Sequence, residues 1–174
     1  VMRVLLDRGA DINKANDYRF TPLYIASRYG HVEVVRFLVE RGADINKANN
    51  EGDTPLLAAS VTGNENIVRI LLDKGASVNI PNTDGQTPLM IAVSHGHFSI
   101  VKSLLAYGAN LNARTNEGDT AFDMVDEGPP HNRSKIATLL KTSQQKNVVT
   151  KNIKEYKRPA PTLRSLAYTL SLIH

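Results

Sequence analysis

The fold is decided by residues 75–92, which read GASVNIPNTDGQTPLMIA. Edited copies of this stretch begin at Gly9, at Gly42 and at Gly108, so the four copies start at equal intervals along the chain. Sequence that repeats at a fixed interval of this length is typical of a stack of similar units, each covering the apolar face of its neighbour. The sequence therefore predicts a solenoid built from helical units.

Each unit has the local chemistry of two short helices. A threonine that can cap a helix precedes a proline that fits the first helical position, as at Thr54-Pro55. Gly63 then ends this helix, and a second helix follows with apolar residues at helical spacing, including Ile67 and Leu71. Gly75 ends the second helix. The polar turn that leads to the next unit is rich in Asn, Asp and Gly, and we call it a finger.

The repeated elements resemble the ankyrin-repeat family. The resemblance rests on Gly42-Ala43-Asp44-Ile45-Asn46, on Asp84-Gly85-Gln86-Thr87-Pro88-Leu89 and on Gly96-His97, and it covers residues 1 to about 142. It implies an all-α fold, namely an ankyrin-repeat solenoid of helix-turn-helix pairs joined by β-turn or hairpin fingers. It also implies a non-catalytic protein-protein interaction module.

We expect the following domain organisation. The ankyrin repeat domain spans residues 1–142, with a truncated repeat at 1–15, repeats at about 16–48, 49–81 and 82–114, and a C-terminal capping repeat at 115–142. A basic polar linker at 143–161 and a short amphipathic helix at 162–174 follow. Because the chain opens on residues that align with a second helix, we expect a fragment whose upstream part covers this end.

Two positions depart from the repeat. Arg19 stands where the other copies have glycine, so its turn is expected to be either strained or differently shaped. In the last copy, Thr120-Ala121-Phe122 lacks the proline, and Ile136 arrives three residues late. We expect a longer loop at 127–132 to absorb the difference.

Composition limits the class of protein. The 174 residues are 41% hydrophobic and contain no cysteine, which excludes disulfides and thiolate metal sites. No apolar run is long enough to span a bilayer, and we expect a cytoplasmic location, with the nucleus as the alternative. The net charge of +4 divides unevenly, since residues 141–174 carry 7 Lys and Arg against 1 Glu, giving +6, and the remainder carries −2. The tail is therefore basic and the repeat domain mildly acidic.

Catalytic and cofactor motifs are not apparent. His95-Gly96-His97 holds the closest histidine pair, but Gly96-His97 falls on the ordinary break between helices, where Gly30-His31 also lies. No phosphate loop, nucleophile elbow or zinc-binding helix motif is present. The sequence therefore predicts no enzyme activity, no cofactor and no metal.

The resemblance places binding residues on a concave face formed by the fingers and the first helices. The positions that it implies are Tyr18, Phe20, Arg28, Tyr29, Glu51, Asp53, Val61, Thr62, Asp84, Gln86, Ser94, His95, Glu117 and Asp119. The aromatic residues at one end are typical of interface anchors, although Phe20 has the alternative of packing under the neighbouring finger.

The partner is predicted from charge. Acidic side chains follow one another along the other three fingers and form what we call the acidic stripe, namely Glu51, Asp53, Asp84, Glu117 and Asp119. Complementary charge favours a protein partner with a basic segment, and the alternative is a solvated face that serves solubility. Nucleic acid and membrane are not expected as partners, and we expect a monomer.

Three further interpretations stay open. The chain is alternatively the substrate-recruiting arm of a larger enzyme or of a ubiquitin-ligase adaptor, or a transcription-linked regulator acting through the basic tail. The tail, residues 143–174, is also a candidate to fold back across the acidic stripe and compete with the partner.

Asparagine recurs at Asn13, Asn46, Asn79 and Asn112. In animal proteins of the family that the chain resembles, asparagine at this position can be hydroxylated by a 2-oxoglutarate-dependent oxygenase, so these four are candidate modification sites. The alternative is that each side chain hydrogen-bonds the finger backbone.

Overall fold

The computed structural model describes the backbone of residues 9–156 and the side chains of residues 9–147. In this range the chain forms seven α-helices, one 3-10 helix and no strand. The α-helices are α1 Pro22–Arg28, α2 Val32–Glu40, α3 Pro55–Thr62, α4 Glu65–Asp73, α5 Pro88–Ser94, α6 Phe98–Ala106 and α7 Pro130–Tyr156. The predicted all-α solenoid of helix pairs is confirmed.

The helices stack in two layers. The first helices of the units, α1, α3 and α5, pack side by side, and the second helices, α2, α4 and α6, form the other layer. Equivalent positions of successive units are buried in columns, so that leucine lies beneath leucine and alanine beneath alanine. The columns are Leu23, Leu56 and Leu89; Ala26, Ala59 and Ala92; and Leu38, Leu71 and Leu104. The small residues permit close approach of neighbouring helices, as the repeat pattern predicts.

The threonine-proline pairs begin the first helices as expected. The hydroxyl oxygens of Thr21, Thr54 and Thr87 accept the N–H three residues further on, at 3.1, 3.2 and 3.4 Å. Each hydroxyl satisfies a donor that has no partner inside the helix. The three units therefore start with the same geometry, which keeps their fingers in register.

The last unit has a different start. Without a proline, its first helix is replaced by a 3-10 helix, Asp123–Glu127, which buries Met124 and Val125. The Asp123 carboxylate accepts the Thr120 N–H at 2.8 Å and the Thr120 hydroxyl at 2.7 Å. Helix α7 then buries Ile136. The longer loop expected at 127–132 is not formed, because the 3-10 helix extends to Glu127 and α7 already begins at Pro130. The additional residues before Ile136 belong to the first turns of α7.

Helix α7 continues further than the sequence predicts. The predicted capping unit ends at residue 142 and a linker begins at 143, whereas α7 runs on to Tyr156. Leu140 is the last fully buried residue among the side chains described, up to residue 147, but loss of burial does not end a helix that packing has already nucleated. No glycine or proline occurs between Leu140 and Tyr156 to stop it. The end of the apolar pattern thus marks the end of packing and not the end of the helix.

Several predictions lie outside the described residues. The truncated first repeat falls mainly on residues 1–8, and the amphipathic helix falls on residues 162–174. The chain divides into two compact units after Leu140, and the packing described above concerns the first of them. Among the described helices, none has both the length and the apolarity needed to cross a bilayer.

Candidate functional site

The side chain of the first residue of a finger accepts the backbone hydrogen bonds that hold the turn. The amide oxygen of Asn49 accepts the N–H groups of Glu51 and Asp53 at 2.9 and 2.8 Å, and Asn82 does the same for Asp84 and Gln86. These asparagines hold the short turn in place of a strand pair. The acidic side chains of the finger are consequently fixed at their backbone.

Arg19 occupies the glycine position of the first finger without changing its shape. Its φ is +60°, in the left-handed region where Gly52 has +80° and Gly85 has +79°. The turn closes with the same bond as in the other fingers, from Arg19 N–H to Asn16 O at 2.8 Å. Of the two expectations for this turn, strain is therefore the correct one, because a side chain sits where the backbone geometry favours glycine.

Neighbouring fingers are joined by backbone hydrogen bonds. In each case an N–H of one finger donates to a carbonyl oxygen of the finger before it: Asn50 N to Tyr18 O at 3.2 Å, Thr83 N to Glu51 O at 2.9 Å, and Asn116 N to Asp84 O at 2.9 Å. A Cβ added to Gly52 would lie 2.9 Å from the backbone N of Thr83, so the fingers are in close contact. This ladder aligns the exposed side chains of four fingers into one continuous surface, which we call the finger face.

The start of the finger face is aromatic. Tyr18 and Phe20 stack with ring centroids 5.7 Å apart, and Phe20 stacks on Tyr24 at 4.9 Å with an interplanar angle of 10°. Tyr24 is buried in the first helix, whereas Tyr18 is 66% exposed. Phe20 thus packs on rings of its own unit, and the alternative that it also packs under the neighbouring finger stays a prediction. The three rings form one stack that leads from the core to the surface.

The remainder of the finger face is acidic. Glu51, Asp84, Glu117 and Asp119 are exposed, and Asp53 is half-buried. None of these carboxylates forms an ion pair with a cationic group among the side chains described. Near the last finger, a groove of about 420 Å³ collects several of them, and its lining consists of Asp84, Gln86, Thr115, Asn116, Glu117, Asp119, Met124 and Glu127.

Asp53 connects the aromatic and acidic parts. Burial raises the pKa of its carboxyl, and the charge of Glu51 acts in the same direction, while the amide of Asn82 offsets part of the effect. Burial also raises the pKa of the Tyr24 hydroxyl, followed by the charge of Asp53, and Arg28 acts against both shifts. The charges of the second finger therefore act on the buried end of the aromatic stack of the first.

The candidates at the ends of the first helices are separate from this groove. Val61, Thr62, Ser94 and His95 do not line it, and two of them are engaged by their own helix: Thr62 donates its hydroxyl to Ala59 O at 3.3 Å and Ser94 to Ile91 O at 3.1 Å. Helix α3 has eight residues, so its far end lies roughly 10 Å from the finger. These positions form a second, more polar row, to which the exposed Arg28 and Tyr29 belong.

The histidine pair has a structural explanation. His95 and His97 stack at 5.8 Å, and His97 Nε2 lies 3.2 Å from Val61 O of the preceding unit. The His97 ring also fills the space beside Gly63, where a Cβ would lie 2.6 Å from it. In the part of the chain that the structure describes, no group of three or more His, Cys, Asp or Glu side chains is arranged to hold a metal ion.

The family follows from sequence comparison. A family model described as ankyrin repeats in three copies matches residues 46–115 and again residues 75–150, and a second, described as ankyrin repeats in many copies, matches residues 5–56. The chain belongs to the ankyrin-repeat family. A search of curated proteins returns no match to it. Ankyrin repeats are generally protein-protein interaction modules and are typically non-catalytic.

The recurring asparagines link successive ankyrin repeats. The side-chain oxygens of Asn13, Asn46 and Asn79 accept the N–H of Asp44, Ser77 and Asn110 at 2.8, 2.9 and 2.8 Å. Each acceptor therefore bonds the next repeat and not its own finger. Asn112 makes no such bond to the capping unit that follows it among the described residues. Hydroxylation of these asparagines stays a prediction.

Some residues of the ankyrin-repeat surface escaped sequence analysis. Tyr24 is absent from the predicted binding positions, yet it supports the aromatic stack. Its position in the first helix, four residues after Phe20, was the available signal. Met124 and Glu127 join the acidic groove because a 3-10 helix replaces a full helix, an exchange for which no sequence pattern was available.

Proposed function

We propose that this chain is a non-catalytic binding module whose finger face engages a basic segment of a partner protein. The tyrosine end supplies apolar anchoring area, and the acidic stripe supplies charge. The observation that carries the proposal is the row of carboxylates that the ladder of backbone bonds holds in register, none of them in an ion pair with a described cation. A surface of this kind favours positively charged partners and speeds their association.

The size of the face supports the same proposal. A specific protein interface buries about 1,200–2,000 Å² in total, or roughly 800 Å² on each partner. Four fingers in register offer an extended surface for such contact. Tyr18 at one end of it, and Tyr29 in the neighbouring row at the ends of the first helices, are each 66% exposed, and exposed aromatic side chains of this kind are frequent anchors of interfaces.

The other interpretations use the same face or the tail. A recruiting arm of a larger enzyme or of a ligase adaptor would bind its substrate through the finger face, so it differs in what is attached and not in the binding chemistry. A transcription-linked role, and competition by the basic tail, both depend on residues 143–174, of which the side chains of 148–174 lie outside the described part. We propose a monomer working in the cytoplasm or nucleus, without nucleic-acid or membrane contact.

Site-specific photo-crosslinking in extract of the source cell tests the proposal. A photoreactive amino acid replaces Glu51, Asp84 or Glu117 on the fingers, and a matched set replaces Arg36, Arg69 or Lys102, which share one repeat position on the second helices and are exposed. We expect one protein to be crosslinked from the three finger positions only, and to be lost at about 0.5 M salt, where charge attraction is screened. Equal crosslinking from both sets contradicts the proposal.

A further inference from the structure

We propose that the tyrosine end of the finger face holds a subsite for one arginine side chain of the partner, formed by the Tyr18 ring and the Glu51 carboxylate. The inference rests on the proposed function and states which residue type the face selects at this end. Arginine is chosen over lysine because both halves of the subsite favour a flat cation.

The Tyr18 ring is available and held in place. One side of the ring contacts Phe20, and the ring as a whole is 66% exposed, so the opposite side is open to a ligand. Phe20 is supported in turn by Tyr24, which is 2% exposed and therefore fixed in the core. A ring that is already positioned loses little side-chain freedom when a ligand stacks on it.

Glu51 belongs to the finger that follows that of Tyr18. Tyr18 and Glu51 hold the same position in adjacent fingers, and Tyr18 O accepts the N–H of Asn50, the residue directly before Glu51. The Glu51 side chain is exposed and forms no ion pair among the described groups. The carboxylate is therefore free to accept hydrogen bonds from a ligand above the ring.

The guanidinium of Arg28 is engaged at the inner end of the stack. It acts on the Tyr24 hydroxyl and on the Asp53 carboxylate. The exposed Arg19 follows Tyr18 in the first finger, but it forms no ion pair with Glu51. The negative charge of Asp53 is thus partly offset within the chain, whereas Glu51 has no ion-pair partner among the described groups.

The chemistry discriminates between the two basic side chains. A guanidinium is planar, so it can lie flat on an aromatic ring while two of its N–H groups donate to one carboxylate. A lysine ammonium is a compact, strongly hydrated charge that cannot do both with the same geometry. The chain already contains an arginine stacked on a ring, since Arg41 Cζ lies 5.0 Å from the centroid of the Phe37 ring.

Three synthetic peptides test the subsite: (Arg-Ser)4, (Lys-Ser)4 and (citrulline-Ser)4, the last an uncharged analogue of the first. Affinities are measured by calorimetry with the full chain, and amide shifts of residues 17–20 and 50–53 are followed by NMR. Because both charged peptides gain from the acidic stripe, the ratio of their affinities reports the subsite. We expect the arginine peptide to bind about fivefold more tightly than the lysine peptide, and the citrulline peptide to bind least.

Variants separate the subsite from the stripe. In both Tyr18→Leu, which keeps apolar bulk, and Glu51→Gln, the ratio of arginine-peptide to lysine-peptide affinity should fall to about one. The affinity of Tyr18→Leu for the lysine peptide should stay within twofold of that of the unmodified chain. Asp84→Asn, a stripe carboxylate without an aromatic neighbour, should weaken both charged peptides equally, and Tyr29→Ala should leave the preference unchanged. Equal binding of the arginine and lysine peptides by the unmodified chain overturns the subsite but leaves the proposed function standing. If Asp84→Asn abolishes binding of both charged peptides and the unmodified chain shows no preference for arginine, the subsite is likewise overturned and the proposed function stands.

Discussion

Arg19 adopts a backbone conformation that the other fingers assign to glycine. A non-glycine residue in the left-handed region costs about 1–2 kcal/mol. The contact with the next finger is also longer here, 3.2 Å against 2.9 Å at the other two junctions. The first junction is therefore the weakest of the three by two independent measures.

We predict that Arg19→Gly stabilises the fold by about 1 kcal/mol, the strain relieved less the extra freedom that glycine adds to the unfolded chain. Urea unfolding followed by circular dichroism measures the change. The reverse substitution, Gly52→Arg, serves as the control and should destabilise, because a Cβ there would meet the backbone of Thr83. An unchanged or lower midpoint for Arg19→Gly would show that the turn is not strained.

Ser27 and Ser60 hold the same position in successive units and are both fully buried. The Ser60 hydroxyl donates to Leu56 O at 2.8 Å, whereas the Ser27 hydroxyl has no partner in the described structure. Burying an unpaired hydroxyl costs about 1–3 kcal/mol. We therefore predict that Ser27→Ala raises the free energy of unfolding by about 1 kcal/mol, and that Ser60→Ala lowers it or leaves it unchanged. Thermal unfolding of the two variants and of the unmodified chain measures the changes, and equal shifts of the melting temperature in both variants would refute this prediction.

How far sequence predicts the site depends on whether the interaction is local. Thr54-Pro55 and the left-handed Gly52 are local choices, and each adopted its expected conformation. The stack of Tyr18, Phe20 and Tyr24 was not predicted, because it requires knowledge of how a finger approaches the helix that follows it. The long-range role of Asn46 was likewise not predicted, because its side-chain oxygen serves a residue in another unit.

At the scale of elements, the last unit shows how a helix start can be replaced. Where the other units have threonine and proline, Asp123 accepts both donors of Thr120 and opens a 3-10 helix. The Thr120 hydroxyl, followed by its backbone N–H, lowers the pKa of the Asp123 carboxyl. The ionised carboxylate therefore stabilises this element, and its contribution is lost as the pH falls through the folded-state pKa, below the ordinary value of 3.8.

We predict that Asp123→Ala increases hydrogen exchange in residues 121–140 at pH 7 while residues 54–106 are unaffected, because only the capping unit depends on this carboxylate. The difference between variant and unmodified chain should shrink as the pH is lowered through the folded-state pKa of Asp123, which lies below 3.8, because the carboxyl is then protonated in the folded as well as the unfolded chain. Asp126→Ala, an exposed carboxylate of the same 3-10 helix, is the matched control. Equal exchange in the two variants would argue against the cap.

The length of α7 illustrates a limit of pattern-based prediction at this scale. Periodic burial predicts where a helix packs, and the buried positions Ile136 and Leu140 were both predicted to close the array. Continuation to Tyr156 depends instead on helix propensity and on the absence of a breaker, which the apolar pattern does not report. Both signals are needed to place the end of a terminal helix.

Across the whole molecule, cooperativity depends on the contacts between units. Stability of a repeat array is approximately the sum of the stabilities of its units and of their junctions. The asparagine oxygens and the finger ladder provide the polar part of each junction, and the leucine and alanine columns provide the apolar part. Loss of one polar link should therefore loosen one junction and leave the units themselves folded.

We predict that Asn46→Ala destabilises the array by about 1 kcal/mol, because the Ser77 N–H loses its acceptor. Asn112→Ala changes the equivalent residue before the capping unit, to which Asn112 makes no such bond among the described residues, and should change stability by less than half as much. Guanidinium unfolding should also become less steep for Asn46→Ala alone, as coupling between its two units weakens. Similar effects of both substitutions would show that the asparagine acts within its own unit.

Because the contacts between units recur at a constant interval along the chain, duplication of one repeat in the gene would preserve them. An in-frame duplication of residues 49–81 would bring together a donor and an acceptor of the same types at every new junction, so the chain would gain a finger, with its carboxylates, in a single genetic event. The cap formed by the 3-10 helix and α7 would stay at the end of the longer array. Duplication of residues 16–48 would instead copy the left-handed Arg19, and each copy would add its strain. The array is therefore best suited to grow from its middle, in whole units.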